Sequence, residues 1–324
     1  MPRLAAVMNA TLFFFLSLTA QAAVTEIPVR GSEKVLISVP EAVINIVAQP
    51  GKLLRINLAD AAAEEFAIQS DGNTIQIRPK EMGSLEKFGH LTPKKRLIEI
   101  QGPSVALEVH AFEGQINLTK WAKDALLHVQ KGRIVSRDGT AGLTLHSQNG
   151  EIQVLDHQGR VDVDAYKSNV VIKNLNGDAE LENFSGETTV DKAKGFLSLN
   201  QGQGATKILA SSGSLQFELV KGVMNIQNFQ GRVEGQTQEG PVTVAMAPEG
   251  EVSVKSQSGK VTVQPPAGSG ASVNLMTQDG DIFVPSYLKV NRDGSQKTLK
   301  AHLKGEGSKG SVWVRSQEGS IFIR

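Results

Sequence analysis

The 324-residue chain has no cysteine, which excludes disulfides, thiolate metal sites and a cysteine nucleophile. It also excludes lipid attachment behind a leader, which needs a cysteine at the new terminus. Aromatic residues are only 5% of the chain, too few to pave a surface with stacking platforms for bases or sugars. Neither charge is in excess, with 34 Lys and Arg against 33 Asp and Glu. A nucleic-acid binder needs a basic footprint to displace counterions, and this chain has none. Beyond the opening segment no apolar run approaches the roughly 20 residues that cross a bilayer. No membrane span is therefore expected in the mature chain. G-x-S-x-G is absent, and Gly202-Gln203-Gly204 lacks the lysine and the following helix of a P-loop.

The opening itself has the layout of a secretory leader. Arg3 supplies the positive start, Leu4 to Leu18 the apolar stretch, and Ala20-Gln21-Ala22 an A-x-A cleavage site. A membrane anchor is the competing reading, but Asn9, Thr11 and Ser17 interrupt the run. Residues 1–22 therefore read as a signal peptide, and the mature chain is expected to be exported to the periplasm, the cell surface or the medium. Arg3 is the only charge before Ala23, so the mature chain carries 33 basic and 33 acidic residues.

Internal repetition dominates the rest. Gly132, Gly142, Gly150, Gly159, Gly177, Gly186, Gly195, Gly204, Gly213, Gly222, Gly231, Gly240, Gly250 and Gly259 fall mostly nine residues apart, with Ser168-Asn169 filling the one empty slot. Apolar residues follow at fixed offsets, two positions on (Ile116, Ile134, Ile152, Val170) and four positions on (Leu118, Val154, Ile172, Val190). Such alternation is the strand signature, and glycine between strands reads as the turn. Two nine-residue units should then make one coil. Val109, Leu127, Leu145, Val163, Leu181, Leu199 and Phe217 indeed align in one column, 18 residues apart. Leu107, Ala125, Leu143, Val161, Ala179, Leu197 and Leu215 form its neighbour.

The expected fold is all-β, a β-helix-like solenoid with two strands per 18-residue coil and an N-terminal β cap. An antiparallel sandwich is the competing architecture. The calcium-binding nonapeptide roll is disfavoured, because its G-G-x-G-x-D turns are absent. Residues 23–80 alternate without the glycine spacing and are expected to cap the first coil, since an open edge templates pairing. Residues 81–96 read as a charged loop, and 97–324 as the repetitive solenoid with a polar excursion at 286–300. Val312, Val314, Ile321 and Ile323 should make the last strands. Arg315 and Arg324 would then guard an open edge there.

Ser147-Gln148-Asn149-Gly150-Glu151-Ile152-Gln153-Val154, Ser256-Gln257-Ser258-Gly259-Lys260-Val261-Thr262-Val263 and Thr277-Gln278-Asp279-Gly280-Asp281-Ile282 resemble the repeats of the bacterial "putative adhesin" β-repeat family. Ile27-Pro28-Val29 and Asn73-Thr74-Ile75-Gln76-Ile77 resemble its opening. The resemblance covers most of the mature chain. It implies an exported envelope protein without established catalytic residues, and none are carried over.

Candidate chemistry is sparse. His110, His128 and His146 are 18 residues apart and should stack outward, with rings about 5 Å from one another at strand spacing. Neighbouring imidazoles can share zinc or copper, but strand spacing suits a chain of neighbours better than a closed tetrahedron. The expectation is an outward ladder without a tight metal. Asp162 and Asp164 should stack under Glu180 and Glu182, an arrangement that could hold calcium or, as a pair, cleave a glycosidic bond. A solvated acidic patch balanced by Lys and Arg is the plainer reading, and Lys173 beside Asp191 is an instance. No cofactor is implied. Together these features favour an envelope structural or adhesin-like binding module without catalytic activity. The alternatives are a carbohydrate-active β-helix enzyme and a scaffold that assembles through its solenoid ends. An envelope protein or a polysaccharide is the expected partner.

Overall fold

Alternation of β-branched and polar residues governs the chain from its first described residue, and strands follow it. The computed structural model describes residues 23–80, 96–266, 268, 270–305 and 310–324. The leader expected at 1–22 lies outside the described residues, as does the loop expected at 81–96 apart from Arg96. Seven elements build one end: β1 (Ala23–Pro28), β2 (Lys34–Ala48), β3 (Leu53–Asp60), α1 (Ala61–Glu65), β4 (Phe66–Asp71), β5 (Thr74–Pro79) and β6 (Arg96–Gly102). β3 runs antiparallel between β1 and β6, and β4 antiparallel beside β5. β5 and β6 lie end to end along one side of β2, both parallel to it. Arg96 opens β6 as a buried cation, held by Glu65 at 2.5 Å and Glu41 at 2.8 Å.

The repetitive stack begins at β7 (Ala106–Thr119) and continues through β8 (Ala125–Arg137), β9 (Leu143–Gln158) and β10 (Val161–Asn176). Leu107 lies opposite Ala125, Ala125 opposite Leu143, and Leu143 opposite Val161, so each rung pairs in parallel with the residue eighteen places on. β11 (Ala179–Ser185) and β12 (Thr188–Asp191) form the next rung, then β13 (Lys194–Gln203) with β14 (Ala205–Leu209). β15 (Ser212–Leu219), β16 (Val223–Thr237), β17 (Val242–Met246), β18 (Glu251–Ser256) and β19 (Val261–Gln264) continue the ladder. These pairings are parallel, which removes the antiparallel sandwich as an alternative. The free side of β2 pairs with β7, Lys34 opposite Ala106. The segment expected as a cap thus supplies a rung as well as covering strands.

Burial follows the expected columns. Leu127, Leu145, Val163, Leu181, Leu199 and Phe217 are all inside, as are Leu107, Leu143, Val161, Leu197 and Leu215. Removing apolar surface from water drives this stacking, and a single rung has no second face to bury against. The glycines play a different part from the one their spacing suggests. β7 and β9 run straight through Gly114 and Gly150, so these residues kink a continuous strand rather than join two. The approach is close: a Cβ on Gly150 would lie 1.8 Å from the carbonyl oxygen of Gly132.

A third corner uses no glycine. Lys120, Asp138, Asp156, Asn174, Lys192, Ala210 and Asn228 all adopt φ between 45° and 58°, one per rung. Asp and Asn tolerate this left-handed region, whereas it costs other residues roughly 1–2 kcal/mol. Asn174 Nδ2 also donates to Asp156 Oδ1 of the rung below at 2.7 Å. Ala210 is exposed and has no such side-chain compensation. Ala210→Gly is expected to stabilise the protein by about 0.5–1 kcal/mol after glycine's extra unfolded-state entropy is subtracted. A thermal melt that falls instead of rising would contradict the backbone assigned to that corner.

At the far end the chain departs from sequence order. β20 (Ala271–Thr277), β21 (Ile282–Phe283), β22 (Asn291–Asp293), β23 (Gln296–His302), β24 (Gly310–Ser316) and β25 (Ile321–Ile323) complete the stack. Val312 lies opposite Val252 on one side and Val273 on the other, and Ile321 lies between Val261 and Ile282. β24 and β25 are therefore interior strands, and the expectation that Arg315 and Arg324 guard an open edge is wrong. The polar excursion at 286–300 supplies the true covering element. It carries most of the β22–β23 hairpin, whose β23 runs antiparallel along β20. The antiparallel strands at both ends cover parallel rungs that would otherwise present open ladders.

Candidate functional site

Because positions 107 and 109 of the repeat point inward, positions 108 and 110 point out. His110, His128 and His146 accordingly lie opposite one another on β7, β8 and β9, followed by Asp164 on β10. The ring centroids are 5.7 Å apart between His110 and His128, and 6.0 Å between His128 and His146. The rings are tilted by 38° and 41°, an open ladder rather than a closed cage. Glu108 Oε1 sits 2.7 Å from His110 Nε2 and also pairs with Lys34. Asp164 Oδ2 lies 3.5 Å from His146 Nδ1. Partial burial holds the His128 pKa below the ordinary imidazole value, reinforced by His110 and His146 and opposed by Asp164. Among the described residues, no three His, Asp or Glu side chains are grouped as a metal would need them.

The four acids share one outward face but not one point. Asp162 lies opposite Glu180, and Asp164 opposite Glu182. Arg160 bridges the first pair, with Nε 2.8 Å from Asp162 Oδ1 and Nη2 2.8 Å from Glu180 Oε2. Glu182 accepts from Asn200 Nδ2 at 3.4 Å. A calcium ion at Asp162 and Glu180 would compete with a guanidinium already in place. Lys173 lies opposite Asp191, as expected.

Two features escaped the sequence reading. The first is an aromatic pair beside the ladder: Tyr166 and Phe184 stack at 4.9 Å with rings inclined by 8°, both about half exposed. The signal was available, since the two residues are one repeat apart. The second is a polar thread inside the stack. Ser147, Asn183, Thr188, Gln201 and Thr206 are buried where other rungs place aliphatics, and Ser168 is buried where they place glycine. Ser168 and Ser147 hydroxyls bond at 2.9 Å, Asn183 Nδ2 donates to Thr188 Oγ1 at 3.1 Å, and Thr188 Oγ1 donates to Gln201 Oε1 at 3.0 Å. Buried polar groups are costly unless paired, and this thread pairs most of them across successive rungs, leaving Asn183 Oδ1 without a partner.

His157 is buried with Nε2 donating to the Ala141 carbonyl at 2.9 Å, while Nδ1 has no partner. Burial pushes its pKa below the ordinary value, against the opposing effect of that hydrogen bond. The native ring therefore stays neutral where the unfolded ring, with a pKa near 6.5, takes up a proton. Stability is unaffected well above that value and falls as the pH drops below it. His128 adds to the same slope. Thermal melts from about pH 7.5 to about pH 5.5 should show a decline above the carboxylate range, and His157→Gln should flatten it. An unchanged slope in that variant would rule out the buried ring as a cause.

A family model described as Toastrack DUF4097 matches residues 32–324. Among solved structures, a "putative adhesin" from Parabacteroides distasonis ATCC 8503 is 10% identical over 94% of this chain and 97% of its own, with a TM-score of 0.39. A "putative adhesin" from Bacteroides fragilis NCTC 9343 is 12% identical over 94% and 98%, with a TM-score of 0.29. A "putative lipid binding protein" from Parabacteroides distasonis ATCC 8503 is 9% identical over 94% and 98%, with a TM-score of 0.34. No curated protein matches the sequence.

Proposed function

The chain belongs to the Toastrack family DUF4097, and from that premise we propose that it is an exported, non-catalytic binding module of the cell envelope. We read the parallel stack as a β-solenoid of 18-residue coils, each built from one kinked strand or two short ones, acting as a rigid rod that presents outward columns to a partner. One observation carries the reading: a single repeat position places His110, His128, His146, Asp164, Glu182 and Asn200 in consecutive rungs of one face. Packing and ladder hydrogen bonds fix that spacing before any partner arrives, so little ordering cost remains on binding. Further along the same column stand Glu218, Gln236, Lys255 and Arg315, so it runs from imidazoles through carboxylates to cations. Such a gradient suits an extended partner in one orientation.

Catalysis is the weaker reading because the acids are already engaged, by Arg160, His146 and Asn200. End-to-end assembly is weaker too, because antiparallel strands cover β5 and β6 at one end of the ladder and β20 at the other. The test pairs a hydrolysis screen on polysaccharides with capture of envelope proteins and glycans on the immobilised mature chain. Capture that is lost on Glu182→Arg, without release of reducing ends, is the expected result. Reducing ends released by the wild type and lost in Asp164→Asn, or no envelope component captured at all, would overturn the reading.

A further inference from the structure

Phe112, Gln130, Gln148, Tyr166 and Phe184 occupy one repeat position, at the corner beside the histidine column. Phe184 covers one face of Tyr166. The opposite face of that ring looks along the stack toward the rung of Gln148, which carries no aromatic and is exposed, and Lys167 Nζ stands over the ring 5.7 Å from its centroid. A depression of about 540 Å³ lies there, lined by Tyr166, Gln148, Ser147, His146, His128 and Asp164. Its chemistry is mixed in a specific way. One wall is a flat aromatic face, and the surrounding groups are an amide, two imidazoles and a carboxylate, which together donate and accept hydrogen bonds.

Taking the chain as a binding module, we propose that this depression is a glycan subsite, in which a pyranose ring stacks on the Tyr166 face that Phe184 leaves uncovered and its hydroxyls bond Asp164, His146, Gln148 and the Lys167 ammonium beside the ring. A pyranose has that pattern, with a flat C–H face and a rim of hydroxyls. Rungs stand about 4.8 Å apart, so a ring laid in the rung of Gln148 continues the column that Phe184 and Tyr166 already form. Competing ligand classes fit less well. An apolar peptide side chain would meet one apolar wall and leave the imidazoles and carboxylate unpaired, which is costly. A nucleotide would bring phosphates toward Asp164 and Glu182. A metal finds an open ladder of rings here. Phe112, half exposed three rungs from Tyr166, bounds the same column at its other end. The unit recognised is thus a neutral, extended glycan lying along the stack.

Affinity electrophoresis of the full mature chain tests this, in gels containing soluble β-glucan, mannan or glycol chitin. Retardation by at least one of these polymers is expected. Tyr166→Ala should weaken it at least tenfold, and Gln148→Arg, which fills the depression from a different residue, should do the same. Phe322→Ala, in the stacked pair with Phe283 at the far end of the rod, should bind as wild type. Both site residues are solvent-exposed, and circular-dichroism melts confirm that the variants are folded. No retardation in any gel, or retardation unchanged by Tyr166→Ala, would overturn the subsite. Envelope capture that survives Tyr166→Ala would remove the subsite and leave the binding module standing. Absence of any envelope capture by the wild type would remove the module itself.

Discussion

Leu181→Asp is expected to unfold the protein at temperatures where the wild type is stable. Leu181 lies between Val163 and Leu199 in the inward column and is almost wholly buried. An aspartate there has no cation within the stack, and the neighbouring rungs cannot withdraw without breaking their own ladders. The carboxyl must either remain charged in an apolar interior or take up a proton, and both routes are unfavourable. A loss of about 4 kcal/mol or more is expected, a large part of the stability of an ordinary domain. Lys173→Ala changes an exposed outward position and should stay within about 0.5 kcal/mol of wild type. Comparable melting temperatures for the two variants would mean that the inward and outward columns have been exchanged.

The columns were legible in the sequence because burial fixes register: slipping a strand by one residue would turn every aliphatic outward. The histidine column was legible for the same reason, being one residue removed from buried neighbours. The left-handed corner was not, since Lys120, Asp138, Lys192 and Ala210 share no side-chain chemistry that marks it. The polar thread could be seen only as gaps, with Thr188 and Thr206 standing where Ile152 and Val170 stand elsewhere.

The interior position of β24 and β25 has a more general cause. Thr237-Gln238-Glu239-Gly240, Ser256-Gln257-Ser258-Gly259, Thr277-Gln278-Asp279-Gly280 and Ser316-Gln317-Glu318-Gly319 are near-copies of one turn. In the first two, the leading hydroxyl donates to the closing glycine carbonyl, at 2.7 Å from Thr237 and 2.6 Å from Ser256. Rungs built on interchangeable turns can neighbour one another in any order. Spatial order then depends on the connecting hairpin, which sequence periodicity does not describe. The stacked pair beside the histidine column was hidden differently. Tyr166 and Phe184 were too few to raise the aromatic fraction, and their meaning comes only from being adjacent across rungs.

Gly132→Ala should be nearly as damaging as a charge in the core, although it adds a single methyl group. Gly132 has φ +139°, and a Cβ there would stand 1.8 Å from the carbonyl oxygen of Gly114, with that residue's carbonyl carbon at 2.9 Å. The obstacle is backbone, so no rotamer change can relieve it. Moving Gly114 away would press it against the next rung, where a Cβ on Gly114 would itself stand 2.0 Å from the Ala42 carbonyl oxygen. Strain would pass along the glycine column instead of dissipating at one rung. Unfavourable φ alone costs about 1–3 kcal/mol, and the clash comes on top of it. A total loss of about 3 kcal/mol or more is expected, in the range reserved for named steric defects. Gly294→Ala separates the two contributions, because Gly294 has φ +59° with nothing within 4 Å of its would-be Cβ. That variant should lose only about 1–2 kcal/mol. Urea denaturation of both decides the matter: equal losses would show that close stacking of the glycine column contributes nothing beyond backbone conformation.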